Sequence, residues 1–112
     1  MAKFYAFKTI DVGSVSAGGT EEKTWTSDDD YIIHKIYVVE KSGQTLYQYE
    51  VTITLDGYAA TKDVVPASIL APDSLFSPTL DIELGKDRVI KFSVENGESA
   101  SRDCYIVMEL WK

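Results

Sequence analysis

The stretch Leu46–Gly57, LYQYEVTITLDG, decides the fold class of this chain. Its apolar residues occupy every second position, and polar residues fill most of the positions between them. An alternation with a period of two places the two sets on opposite faces of a β-strand. The pair Asp56-Gly57 is a common sequence for a tight turn between strands. The stretch therefore predicts a half-buried antiparallel strand whose apolar face carries Tyr47, Tyr49, Val51, Ile53 and Leu55.

The same alternation recurs along the chain, and no window of about a dozen residues shows the apolar spacing of an amphipathic helix. The predicted strands lie near residues 3–11, 20–26, 31–41, 46–56, 61–65, 79–84, 87–95 and 103–111. About eight short strands separated by turn signals are typical of a β-sandwich or barrel. We predict an all-β antiparallel sandwich that forms one domain over residues 1–112, and a jelly roll suits the strand count.

Composition narrows the range of partners. The chain has 18 acidic and 11 basic residues, a formal net charge of -7, and such a charge repels nucleic acid and anionic membrane surfaces. We therefore expect no direct nucleic acid or membrane partner. The first residues lack the apolar segment of a secretion signal, so we expect synthesis and retention in the cytoplasm. Cys104 is the single cysteine, which excludes an internal disulfide and a thiolate metal cluster.

One long connection interrupts the strands. Residues 57–78 contain all three prolines together with Ile69, Leu70, Leu75 and Phe76. A connection of this length is either functional or a crossover between two sheets. We expect a crossover.

The residue types that carry chemistry are sparse. Asp28, Asp29 and Asp30 follow one another at a turn, where they either stay solvated or supply oxygens to Ca²⁺. His34 is the single histidine, and no Gly-x-Ser-x-Gly sequence accompanies it. One histidine is also too few for a copper site built with Cys104 and Met108. The sequence predicts no catalytic residue, no cofactor and no enzyme activity.

Some predicted strands carry apolar residues on both faces. Since a two-layer sandwich buries one face of each strand, the opposite face then forms an exposed apolar patch that marks an interface. Cys104, Ile106, Met108 and Leu110 alternate as core residues of the last strand. The predicted interface residues are Tyr31, Ile33, Tyr37, Tyr105, Val107 and Trp111, with the 57–78 connection and the N-terminal strand as secondary contacts. The alternative is that the long connection or a terminal segment covers this patch.

Five segments together resemble small single-jelly-roll structural proteins of tailed phages and other viruses, which include capsid decoration, cement and minor capsid proteins. The segments are GGTEEKTWT (18–26), DDDYIIHKIYVVE (28–40), VVPASILAP (64–72), TLDIELGKDRVIKFSVEN (79–96) and CYIVMELW (104–111). The resemblance implies a non-enzymatic protein that self-associates, often as trimers, and clamps neighbouring shell subunits. It also implies a place in the virion after assembly in the host cytoplasm.

A binding module is the second hypothesis. A β-sandwich that binds carbohydrate or a receptor would use exposed aromatic rings as a stacking surface. The candidates are Tyr47, Tyr49, Tyr58 and Trp25, with Asp28, Asp29 and Asp30 holding Ca²⁺.

Overall fold

Two antiparallel sheets pack face to face in a computed structural model that describes residues 2–61, 63–72 and 78–112. Nine strands and one 3-10 helix lie within these residues. In chain order they are β1 (Phe4–Val15), β2 (Thr20–Thr26), β3 (Tyr31–Glu40), β4 (Tyr49–Leu55), β5 (Tyr58–Ala59), β6 (Val65–Pro66), the 3-10 helix (Ala67–Leu70), β7 (Ile82–Leu84), β8 (Val89–Asn96) and β9 (Arg102–Trp111). The predicted all-β antiparallel sandwich is confirmed.

The strand order places β9 and β3 at the centre of sheet A and β8 and β4 at the centre of sheet B, while the 12-residue β1 is an edge. Sheet A has the order β1-β9-β3-β7, and sheet B has the order β2-β8-β4-β5 with β6 also paired to β4. Every connection passes from one sheet to the other, except those that join β4, β5 and β6. Strands β1 and β2 are therefore the edges on one side of the sandwich. No helix in the described part of the chain is long and apolar enough to cross a membrane.

The strand that decides the fold class forms nearly as predicted. In β4 the side chains of Tyr49, Val51 and Ile53 are buried, because they face the opposing sheet. The predicted turn at Asp56-Gly57 is confirmed, since both residues have positive φ angles, of 48° and 84°. Such angles are what a two-residue hairpin turn requires. Tyr47, by contrast, precedes the strand and is 77% exposed.

The inner faces of the two sheets make one apolar core. The alternation predicted for the last strand is confirmed, because Cys104, Ile106, Met108 and Leu110 of β9 are at most 3% exposed. Sheet B contributes residues such as Ile90, Phe92 and Val94 of β8. Burial of this kind contributes roughly 25 cal/mol for each Å² of apolar surface removed from water.

The 57–78 connection runs from sheet B to sheet A, as predicted for a crossover. Its 3-10 helix packs beside β3 and β4 and inserts Ala67 and Leu70 into the core. The strand predicted at 61–65 is wrong in extent, because Val65, the first residue of β6, is the one described residue of that range that lies in a strand. Leu75 and Phe76 lie outside the described residues.

A β-bulge in β3 changes the predicted facing of that strand. Opposite β9, the register of β3 shifts between Ile33 and Lys35, so His34 is an extra residue. One extra residue reverses the side on which every preceding residue of the strand lies. Tyr31 and Ile33 consequently face the core and are 7% and 0% exposed. The prediction that these two residues share the outer face with Tyr37 is wrong.

Asn96 joins the two turns at one end of the sandwich. Its side chain is fully buried, and its Nδ2 donates hydrogen bonds to the carbonyl oxygens of Val15, Ser16 and Ala100 at 2.9, 3.3 and 3.0 Å. Its Oδ1 accepts a hydrogen bond from the backbone N–H of Glu98 at 2.9 Å. The side chain therefore satisfies backbone groups of both the β1–β2 and the β8–β9 turns.

We expect Asn96→Ala to lower the free energy of unfolding by about 2 to 4 kcal/mol, because buried carbonyl oxygens lose their donor. Asn96→Asp should be at least as destabilising, since a second oxygen then faces those carbonyl oxygens. Urea denaturation followed by circular dichroism measures both. Gln48→Ala is the control, because only the backbone of Gln48 contacts this region, through the Gly97 N–H. Equal stability of the Asn96 and Gln48 variants would contradict the assignment.

Candidate interaction surface

The side of sheet A that points away from sheet B carries an aromatic surface, which we call the aromatic face. Residues paired across antiparallel strands share a face, so the pairing of β1, β9 and β3 defines its rows. The rows are Phe4–Trp111–Ile32, Phe7–Glu109–Lys35, Thr9–Val107–Tyr37 and Asp11–Tyr105–Val39. Eight of these twelve side chains are apolar or aromatic. They form a continuous patch across three strands.

Several aromatic rings on this face are accessible to a partner. Phe4 and Phe7 are 51% and 59% exposed, with ring centroids 5.0 Å apart. Tyr105 is 37% exposed. Isolated exposed apolar residues are ordinary on a protein surface, whereas a contiguous group marks a contact area.

The structure brings four of the six predicted interface residues together. Tyr37, Val107 and Trp111 are half-buried on the aromatic face, and Tyr105 is exposed there. The other two, Tyr31 and Ile33, face the core. Whether the four residues contact a partner stays a prediction. Phe4 and Phe7 lie in the N-terminal strand, which was predicted only as a secondary contact, although both are more exposed than the four residues.

Glu109 is the acidic residue at the centre of this face, and its neighbours hold it in place. Trp111 Nε1 donates a hydrogen bond to its Oε1 at 2.8 Å, and the hydroxyl of Tyr37 donates one to its Oε2 at 3.3 Å. Burial together with the Glu109 charge raises the pKa of Tyr37 above its ordinary value. The carboxylate is thereby tied to the sheet, which reduces the cost of placing a partner over it.

Lys41 forms the polar border of the aromatic face. Its Nζ lies 2.7 Å from Asp11 Oδ1 and 2.8 Å from Asp103 Oδ1, and 4.4 Å from the ring centroid of Tyr105. The hydrogen bond from Lys41 is the main cause that lowers the pKa of Asp11 below its ordinary value of 3.8. The hydrogen bonds to Asp103 and Asp11 in turn raise the pKa of Lys41.

We expect Lys41→Met to raise the pKa of Asp11 toward its ordinary value. The folded-state pKa of Asp11 is depressed, so its contribution to stability is present above the unfolded-state pKa of 3.8 and is lost as pH falls through the folded-state pKa. The variant should therefore lose less stability on acidification. An NMR titration of the Asp11 carboxyl carbon from about pH 6 to about pH 2 measures the pKa. Lys35→Met, which removes a lysine outside the Lys41 ion pairs, is the control, and an Asp11 pKa unchanged by Lys41→Met would contradict the assignment.

The outer face of sheet B is chemically different. Its rows are Thr20–Glu95–Glu50, Glu22–Ser93–Thr52 and Thr24–Lys91–Thr54, all polar. Glu50 and Glu95 lie directly opposite each other, and a depression of about 520 Å³ lies above them. The two outer faces of the sandwich therefore differ, one aromatic and one polar with excess negative charge.

The three consecutive aspartates have separate structural roles. Asp28 Oδ1 accepts a hydrogen bond from the Tyr31 hydroxyl at 2.8 Å, Asp29 Oδ2 pairs with Lys112 Nζ at 2.6 Å, and Asp30 Oδ1 accepts the Lys86 N–H at 2.8 Å. The hydrogen bond to Asp28 raises the pKa of Tyr31 to about 12. Within the described ranges, no group of three or more His, Cys, Asp or Glu side chains could hold a metal ion.

His34 lies beside Asp81 and Trp111, which are far from it in the sequence. The bulge directs His34 toward Asp81, whose Oδ1 is 2.7 Å from His34 Nδ1, and onto the indole of Trp111 at a centroid distance of 4.3 Å. Asp81 is 47 positions from His34 in the sequence. No local pattern reveals a pairing across that distance, since it depends on β7 lying next to β3.

The aromatic residues of the second hypothesis do not share one surface. Tyr49 is fully buried, and Trp25 is half-buried and stacked on Tyr31 at 6.0 Å. Tyr47 and Tyr58 are exposed, yet they lie at opposite ends of β4. No protein-family model matches the chain, and no curated protein matches it.

The Cys104 thiol lies in the core beside Tyr49. Burial raises its pKa to about 11, so the reactive thiolate is scarce near neutral pH. We expect iodoacetamide to modify the native protein at least about 100-fold more slowly than the urea-unfolded protein at about pH 8. Mass spectrometry measures the rates, and Ser99→Cys in a Cys104→Ala background supplies an exposed thiol for comparison. Equal rates for native and unfolded protein would contradict the burial of Cys104.

Proposed function

We propose that this protein is a non-enzymatic virion structural protein, a capsid decoration or cement protein or a small jelly-roll capsid subunit. It acts by self-association and by contacts with other capsid subunits, and it reaches the virion after assembly in the host cytoplasm. The observation that carries the proposal is the aromatic face, which covers three strands of sheet A and has no counterpart on sheet B.

The chemistry of the aromatic face supports association between copies of the chain. Most of its side chains are apolar or aromatic, the central Glu109 is hydrogen-bonded to Trp111 and Tyr37, and Lys41 at the border is paired with Asp11 and Asp103. Enrichment in aromatic residues is typical of interfaces. A partner that covers the face buries apolar surface, which favours binding. It does not have to desolvate a central carboxylate that lacks hydrogen-bond partners, because Glu109 already has two.

The strand arrangement supports the jelly-roll part of the proposal. Successive strands of the chain belong to alternate sheets, except that β4, β5 and β6 all belong to sheet B. Double-sheet jelly rolls are built from such crossing connections. The virion setting itself rests on the resemblance of the strand and turn pattern to small viral structural proteins.

We expect the wild-type protein to form a closed oligomer whose mass changes little with salt, because apolar contacts are not screened by ions. Phe7→Lys with Tyr105→Lys should dissociate it, since both side chains are exposed and replacing them introduces charge at the contact. Light scattering after size exclusion, over a dilution series at low and high salt, measures the mass. These two positions are preferable to Tyr37 and Trp111, which hold Glu109 in place.

The matched control is Thr52→Lys with Ser93→Lys, a pair of cross-strand neighbours on the outer face of sheet B. This variant adds the same charge to the polar side and should keep the wild-type mass. Circular dichroism establishes that both variants remain folded. A wild-type monomer at every concentration, or equal masses for the two double variants, would refute self-association through the aromatic face.

A further inference from the structure

A depression of about 470 Å³ lies at the outer border of sheet A, where β3, β7 and β9 meet. We call it the Trp111 corner. Its lining residues are Ala2, Ile32, His34, Asp81, Glu83 and Trp111. A second depression, of about 390 Å³, shares Ile32, Glu83 and Trp111 with it, so the indole of Trp111 borders both.

The indole of Trp111 is held in a fixed orientation. The imidazole of His34 stacks on it with an interplanar angle of 28°, and its Nε1 donates to Glu109. His34 is itself fixed by the bulge and by Asp81 Oδ1. Asp81 has a φ of 50°, in the left-handed region that non-glycine residues rarely adopt. The corner is thus built from two unusual backbone features that position an aromatic ring beside carboxylates.

The charges of the corner are incompletely compensated. Glu83 is exposed, and within the described residues it makes no ion pair and no side-chain hydrogen bond. The Asp81 side chain is 61% exposed, and its one ion pair among the described residues is with His34. In the same part of the chain no lysine or arginine lines the 470 Å³ depression, and Lys112, which lines the adjoining one, is paired with Asp29. The face of an indole ring also carries negative electrostatic potential, so ring and carboxylates favour a cation in the same place.

We infer that the Trp111 corner binds the guanidinium group of an arginine side chain presented by a protein partner. The planar group stacks on the indole face opposite His34 while its N–H donors pair with the Glu83 carboxylate, a combination that a lysine ammonium cannot make. Tryptophan and arginine are also the residues that contribute most at interface centres. That the partner is a neighbouring shell subunit rests on the proposed function; the guanidinium binding does not.

The depression on sheet B provides an internal comparison. It is lined by Glu21, Glu22, Glu50 and Glu95 and therefore attracts cations in general, but none of the described residues that line it is aromatic. A ligand that responds only to negative charge should bind there as well. A ligand that needs both a ring and a carboxylate should prefer the Trp111 corner.

The test is an NMR titration of ¹⁵N-labelled protein with the peptide acetyl-Gly-Arg-Gly-amide. We expect a saturable shift of the Trp111 indole N–H, assigned by its absence in Trp111→Phe, and no comparable shift for the Trp25 indole. Glu83→Gln should weaken binding about fivefold or more, whereas Glu95→Gln on sheet B should leave it unchanged. The lysine peptide acetyl-Gly-Lys-Gly-amide should bind more weakly than the arginine peptide.

A Trp111 resonance that does not move, equal affinities for the two peptides, or equal effects of the two glutamine variants would overturn the inference. The titration uses the Phe7→Lys, Tyr105→Lys variant, in which self-association does not cover Trp111, so its outcome is independent of the oligomer measurement. If the arginine peptide does not bind while the protein forms an oligomer through the aromatic face, the guanidinium site is wrong and the proposed function stands. If the peptide binds to a protein that is monomeric at every concentration, self-association is wrong and the guanidinium site stands.

Discussion

One extra residue in β3 determines the two faces of sheet A. The bulge at His34 lets Tyr31 and Ile33 point into the core at one end of the strand, while Ile36 and Val38 do so at the other. Without the bulge, one of these pairs would have to face solvent, because side chains alternate strictly along a regular strand. The same residue brings Lys35 and Tyr37 to the outer face beside Glu109. The core and the aromatic face of sheet A therefore depend on one local irregularity.

The bulge also marks the limit of what the sequence reveals. The facing of β4 and β9 was predictable, because neither strand contains a bulge and side chains therefore alternate strictly along each of them. In β3 both sets are apolar, so periodicity alone gives no sign of where the register shifts. The facing predicted for residues 31–33 is consequently wrong, although the prediction of the strand itself is confirmed. Strand positions and fold class thus follow from local pattern, whereas facing in a strand that is apolar on both sides requires the partner strands.

Long-range polar contacts were beyond prediction for a different reason. Asn96 holds Val15 and Ser16 across 81 and 80 positions of sequence, and Asp81 holds His34 across 47. Each contact exists only after the sheets have formed, so the neighbouring residues carry no signal of it. The candidate interface was predictable in part. Four of its six residues lie on one surface, because the excess of apolar residues in the central strands is visible in the sequence. Phe4 and Phe7, at the sheet edge, were predicted only as secondary contacts although both are exposed.

The distribution of charge gives the two outer faces different consequences for association. Sheet B presents Glu22, Glu50 and Glu95 in adjacent rows, so two copies that met through this face would bring like charges together. On sheet A, Glu109 is hydrogen-bonded and Lys41 is ion-paired within the chain, and the aromatic rings of Phe4 and Phe7 are exposed. Repulsion on one side and apolar surface on the other favour contact through sheet A alone, which limits open-ended stacking. Trp111 belongs to the end row of the aromatic face and also lines the Trp111 corner with its two carboxylates, Asp81 and Glu83. A partner that places an arginine on Trp111 therefore lies against the edge of the aromatic face, where its apolar residues can extend the same contact across Phe4 and Ile32.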